Sequence, residues 1–133
     1  MSGVHNGPIP TRLALLSDLR TFPPGSKVRF LGCVTNYSTN AATLTLEHDH
    51  PQGQSLKALV NVKLLLETIK SHETRVGEWV NVIGYINPEA KSVLSKEKDG
   101  VTVQALVLWS TGSLDLQGYE RSLERQNLDK IEA

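Results

Sequence analysis

Ser26-Lys27-Val28-Arg29-Phe30-Leu31-Gly32-Cys33-Val34-Thr35 is the stretch that decides the fold. In an extended chain Val28, Phe30, Gly32 and Val34 fall on one face, and Lys27, Arg29, Leu31, Cys33 and Thr35 on the other. Alternation with period two marks a half-buried strand. Apolar residues stand on both faces, as they must when a core lies on one side and covering segments on the other. Gly32 in mid-strand predicts a bulge or bend. A long, bent strand can pair with two neighbours around the corner of a small closed barrel.

The rest of the chain supplies those neighbours. Upstream, residues 1–11 read as a polar, Gly- and Pro-bearing tail. Leu13, Leu15, Leu16 and Leu19 form an apolar cluster that predicts a turn or two of helix or an irregular cover, ended by Phe22-Pro23-Pro24-Gly25. Downstream, Ser38-Thr39-Asn40 predicts a turn. Ala42–His48 is a second strand with Leu44 and Leu46 inward, and Leu56–Asn61 a third with Leu56, Ala58 and Val60 inward. The period then lengthens. Val62, Leu65, Leu66 and Ile69 stand at i, i+3, i+4 and i+7, which predicts an amphipathic helix to about His72. A fourth strand carries Val80, Val82, Gly84 and Ile86 on one face and Trp79, Ile83 and Tyr85 on the other. A fifth, Val101–Trp109, places Val101, Val103, Ala105, Val107 and Trp109 on one face and Leu106 and Leu108 on the other. Ser113 is a helix N-cap signal with Asp115 in the first turn, and a helix is expected from about Leu114 to Asn127.

Three strands, a helix and two strands is the order of a five-stranded OB barrel. The expected architecture is therefore an all-β OB-fold over residues 12–128, with an added C-terminal helix and a short tail at 129–133. The stripe Leu116, Tyr119 and Leu123 on that helix has two uses: packing on its own barrel, or packing on a partner.

Composition narrows function. With 133 residues the chain supports one core. Its formal net charge is zero. Free-standing nucleic-acid binders carry a basic excess, because phosphate neutralisation drives their affinity; DNA contact here is expected to be weak or shared with a partner. Cys33 is the single cysteine, which excludes an internal disulfide and a cysteine-based zinc site. No signal-peptide core and no bilayer-length apolar run are present, so no membrane role and an intracellular location are expected.

No constellation points to catalysis. Nucleophile-elbow and phosphate-cradling motifs are absent from the sequence. Glu47-His48-Asp49-His50 concentrates ligand-type side chains, but it lacks a distant third ligand and reads as a solvated turn. Neither a metal nor a cofactor is expected. Candidate nucleic-acid contacts combine cations with aromatic platforms: Arg29, Lys57, Trp79, Tyr85, and the loop lysines Lys91, Lys96 and Lys98, with Tyr37 a further stacking candidate. Trp79 fits an outer core or a partner contact equally well, and aromatic residues total only 5%, so platforms are few.

Pro24-Gly25-Ser26-Lys27-Val28-Arg29-Phe30-Leu31-Gly32-Cys33-Val34 and Gly77-Glu78-Trp79-Val80-Asn81-Val82-Ile83-Gly84-Tyr85 resemble the first and fourth barrel strands of the smallest subunit of the telomere-capping CST complex, fungal branch. The placement of the C-terminal helix is similar too, and the small subunit of replication protein A shares the plan. The resemblance implies a non-enzymatic nuclear subunit at chromosome ends. Its partners would be the N-terminal OB domain of the middle subunit and, through it, the large subunit. It would protect telomeres and assist their replication, with weak contact to single-stranded telomeric DNA. The partner face carried over by position is Leu116, Tyr119, Leu123 and Gln126. The alternative is a stand-alone, replication-protein-A-like binder of single strands.

Overall fold

The computed structural model describes residues 10–53, 56–87, 100–112 and 116–132. Among the described residues, strands β1 (Arg12–Leu13), β2 (Lys27–Ser38), β3 (Thr43–Glu47), β4 (Lys57–Asn61), β5 (Trp79–Ile86) and β6 (Gly100–Ser110) precede the α-helix α1 (Leu116–Glu132). They form a sheet in the order β1-β2-β3-β4-β6-β5, and a further pairing of β2 with β5 closes it. β2 turns the corner: Lys27–Cys33 runs antiparallel to β5, and Cys33–Ser38 antiparallel to β3, with a register shift between Val34 and Asn36. β4 and β6 pair in parallel. The short β1 lies parallel to the start of β2, outside the five-stranded ring.

The interior is built by the period-two faces. Val28, Phe30, Val34, Leu44, Leu46, Ala58, Val60, Val80, Val82, Val101, Val103 and Ala105 are buried in one cluster. The apolar segment upstream of β2 is a 3-10 helix, Leu16–Thr21, and its Leu16 and Leu19 complete the core. Gly32 permits this closure. A Cβ there would meet Leu46 Cβ at 2.8 Å and Leu16 Cδ1 at 3.0 Å, so only glycine lets the cover approach the corner strand.

Three expectations are corrected. The segment between β4 and β5 is not an α-helix; it contains two 3-10 turns, Lys63–Leu65 and Ser71–Thr74. Side chains compete there for the backbone. Asn61 Oδ1 accepts the Lys63 N–H at 2.9 Å, and a Glu73 carboxylate oxygen accepts the Lys70 N–H at 2.8 Å. Val62, Leu65 and Ile69 still pack on the core, but Leu66 is exposed.

On β6 the alternation inverts after Ala105. Ile83 pairs with Val107 but Gly84 pairs with Ala105, so Leu106 is the extra residue of a bulge. Beyond it Leu108 packs on the core, while Val107, expected inside, is 47% exposed. Gly84 makes the bulge possible, because a Cβ at this position would run into the Gln104 carbonyl. Finally, α1 continues to Glu132, past the expected end near Asn127. The N-cap signals Ser113 and Asp115 and most of the expected N-terminal tail lie outside the described residues.

Gly84→Ala is expected to destabilise the barrel by about 1–3 kcal/mol, the usual cost of forcing atoms into a packed position. Val107→Thr on the exposed side should stay within roughly 0.5 kcal/mol of the parent. Urea midpoints at a shared slope measure both.

Candidate partner and nucleic-acid interface

The outer wall of the barrel is where chemistry-bearing side chains gather. Strand register sets its rows. Arg29 lies beside Ile83, which faces Val107; Leu31 lies beside Asn81, which faces Trp109; Cys33 lies beside Trp79. The Arg29 guanidinium sits over the Trp109 ring, 5.1 Å from its centroid, a cation–π geometry. Leu31, Asn81 and Leu123 are buried although they stand apart from the interior cluster.

Helix α1 therefore packs on its own barrel. Leu123 is only 3% exposed, and the Tyr119 hydroxyl is buried without a hydrogen-bond partner among the described residues. Burial pushes the Tyr119 phenol above its ordinary value of 10, partly offset by the nearby Arg29 charge. Of the stripe expected to meet a partner, Tyr119 and Leu123 thus face inward, Leu116 is half-buried, and Gln126 is exposed. Arg121, Ser122 and Arg125 on another side of the helix are exposed and, with Gly118, are the described residues lining a cavity of about 400 Å³.

The Glu47–His50 segment is not a solvated turn. His48 is buried, 3% exposed, with its ring edge-on to Trp79 at 5.3 Å and tilted toward Tyr119 at 6.5 Å. Its Nε2 lies 2.7 Å from Glu120 Oε2. His50 places Nδ1 3.3 Å from Glu120 Oε1 and Nε2 2.9 Å from Glu124 Oε1. Two imidazoles at i and i+2, across a tight turn in which the His50 N–H donates to the His48 carbonyl, match two carboxylates at i and i+4 of a helix. Those two spacings were visible in sequence, but which strand end faces the helix was not. No group of His, Cys, Asp and Glu with metal-binding geometry occurs among the described residues.

Among the described residues the nucleic-acid candidates do not converge. Arg29 is exposed but stacked on Trp109. Trp79 lies half-buried beside His48 near α1. Tyr85, half-buried, pairs with Lys27 and Gln104 on another part of the wall. Lys57 stands apart on β4 opposite Glu47, and Tyr37 packs against the core. Lys91, Lys96 and Lys98 lie outside the described residues. Across β3 and β4, the faces OB proteins use for ligands, the outward residues are Thr43, Thr45, Glu47, Lys57, Leu59 and Asn61. That surface has no aromatic platform, and its one lysine faces a glutamate.

Burial also raises the Cys33 thiol, with Glu47 and Glu78 adding to the effect. A half-buried thiol held protonated is a packing residue, not a nucleophile.

A closed ring of five strands with a parallel β4–β6 contact and a terminal helix on its wall defines an OB-fold protein. The comparisons carry this to a family. A family model described as telomere capping, CST complex subunit, Ten1, matches residues 1–124. The chain belongs to the Ten1 family. It is 28% identical over 119 residues to protein ten1 of Schizosaccharomyces pombe, covering 89% of this chain and 96% of that one. The fold matches the crystal structure of the S. pombe Stn1-ten1 complex with a TM-score of 0.69 at 21% identity, over 91% of this chain and 95% of that chain. It also matches U. maydis replication protein A bound to single-stranded DNA with a TM-score of 0.61 at 18% identity, over 92% of this chain and 94% of that chain.

Because Tyr119 titrates high in the folded chain, its contribution to stability is constant below pH 10 and declines as the pH rises through the folded-state value. Spectrophotometric titration is expected to show one late-ionising phenol. Leu123→Asp, which unseats the helix, should return it toward the ordinary range.

Proposed function

We propose that this telomere-capping subunit works without enzymatic activity, as a heterodimerising module. Its partner is the N-terminal OB domain of the middle CST subunit, and through that domain it joins the large subunit in the nucleus to protect chromosome ends and assist telomere replication. The observation that carries the reading is the family match over residues 1–124. The related S. pombe chain, solved in a complex with Stn1, supports the choice of partner.

The geometry supports a division of labour on α1. Tyr119 and Leu123 hold the helix on the barrel. Leu116, Gln126 and the groove bearing Arg121 and Arg125 are the groups a partner can reach. Arg is favoured at interface cores, where its planar head makes bidentate contacts. Contact with single-stranded DNA is weak in the isolated chain. The zero net charge and the aromatic-free β3–β4 face both support this. The second reading, a stand-alone single-strand binder, draws on the fold shared with replication protein A.

Calorimetric titration with the partner OB domain tests the interface. Arg121→Glu with Arg125→Glu is expected to weaken binding at least about tenfold, roughly 1.4 kcal/mol, with an unchanged circular dichroism spectrum. Unaltered affinity would move the interface elsewhere on the chain. In parallel, a fluorescent single-stranded telomeric oligonucleotide is expected to bind the isolated chain no tighter than the micromolar range at about 0.15 M salt. Nanomolar binding lost with Lys57→Ala or Arg29→Ala would favour the stand-alone reading.

A further inference from the structure

We propose that the cleft between β1 and the turn at residues 22–26 binds one backbone phosphate of a single-stranded nucleic acid, held by Arg12 and Lys27, with a neighbouring base stacked on Tyr85. The site rests on the reading that the chain contacts single strands weakly, and gives that contact a location away from β3 and β4.

The cleft is built by the backbone. Gly25, at φ +88°, turns the chain after two prolines. The Gly25 N–H donates to the Ile86 carbonyl at 2.8 Å, and the Ile86 N–H to the Ser26 carbonyl at 2.9 Å, so the turn is tied to the end of β5. On the other side β1 is tied to β2 by its parallel register, Arg12 beside Val28, and by the Ala14 N–H on the Arg29 carbonyl at 2.9 Å. Between them lies a cavity of about 230 Å³ whose described lining is Pro10, Arg12, Pro23, Ser26 and Lys27. Pockets for cofactor-sized ligands run from about 300 Å³ upward, so this one suits a single charged group.

Its donors select an anion. The Ser26 hydroxyl is committed to the Pro23 carbonyl at 2.7 Å, and the two prolines have no N–H to offer. The side-chain donors left are the heads of Arg12 and Lys27. Neither makes an ion pair or a side-chain hydrogen bond among the described residues. The Arg12 guanidinium is steadied over the Phe22 ring, 6.0 Å from its centroid, which leaves its N–H edge to a ligand. Tyr85 stands directly opposite Lys27 in the β2–β5 register, so the two side chains share the outward face. An aromatic ring beside paired cations is the combination that holds a single strand: cations on phosphate, ring on base. The candidates expected from sequence scatter, and this cleft gathers a different set, of which Tyr85 alone was among them.

The zero net charge of the chain hides a local excess. β1, β2, β5 and β6 carry Arg12, Lys27 and Arg29 and no Asp or Glu. Arg29 is turned onto Trp109 and is set aside. The neighbouring 3-10 helix has one charge of each sign, Asp18 and Arg20. The wall's acidic end is remote: Glu78 precedes β5 at the end opposite Tyr85, and Glu47 pairs with Cys33 at the far end of the β2–β5 register. Each is roughly 20 Å away in extended chain, more than twice the Debye length of about 8 Å at physiological salt. The cleft therefore presents two cations that the acids do not cancel.

Nitrogen-15 NMR titration of the full-length chain with an oligothymidylate of about ten nucleotides tests the site. Amide shifts at Arg12, Lys27 and Tyr85 are expected to move, and those at Thr45 and Leu59 on β3 and β4 to stay. Repeated at several salt concentrations, log affinity should fall against log salt with a slope of about −1.4, the value for two cations on a single strand. Lys27→Ala should halve that slope, and Arg12→Ala with Lys27→Ala should abolish it. Tyr85→Leu should weaken binding at least about fivefold with the slope unchanged. Affinity and slope that survive the double substitution, in a chain of unchanged circular dichroism, would overturn the site and leave the weak-contact reading standing. No shift anywhere at millimolar oligonucleotide would overturn both. A polyglutamate peptide that moves the same amides at lower concentration than the oligonucleotide would also overturn the site, since the cleft would then read acidic protein.

Discussion

Lys27–Ser38 is hydrogen-bonded to β5 along one half and to β3 along the other, and every other part of the molecule depends on that shared strand. Without it the sheet is open, with two long edges and no interior. With it, the inward residues of five strands meet in one core, and the outward residues of β2, β5 and β6 become a wall. The strand can turn the corner because Gly32 lets Leu16 and Leu46 approach its backbone and because the register slips beyond Val34. The wall seats α1 through His48 and His50, so the same backbone constraint that closes the barrel also creates the place where the helix is held.

The helix is held by two kinds of force. Apolar burial of Leu123 and the Tyr119 ring is non-directional and works at any pH below phenol ionisation. The His–Glu contacts are directional and join groups 72 and 74 residues apart in the chain. They fix the angular position of α1, which decides that Arg121 and Arg125 face solvent while Tyr119 faces the barrel. Exposed ion pairs contribute little to stability. Here one pair, His48–Glu120, is largely withdrawn from solvent, and its gain lies in selecting one seating of the helix.

Much of the barrel was legible in the sequence because period-two burial is a local signal. Val28, Phe30, Val34, Leu44, Leu46, Val80 and Val82 read correctly from alternation alone. The misreadings have local causes as well. A helical apolar spacing at Val62–Ile69 was overridden by Asn61 and Glu73 capturing nearby backbone N–H groups, each bond too specific for a periodicity argument. Alternation along β6 could not anticipate the bulge, because the cause, Gly84, sits on the neighbouring strand. The candidate site was legible in parts. The apolar stripe of α1 and the His48–His50 pair were each visible, but their meeting is a tertiary fact. Sequence spacing made a solvated turn of residues that the fold places against a helix, and it left the helix stripe two uses, of which the barrel takes the first by covering Tyr119 and Leu123.

The central claim is that this Ten1-family chain is an assembly subunit whose business is with another OB domain. Light scattering on the chain alone, and on the chain co-purified with the N-terminal OB domain of the middle subunit, tests it most directly. The account predicts a monomer alone and a one-to-one heterodimer together, stable through size-exclusion chromatography. Two separate monomers at micromolar concentrations would contradict it.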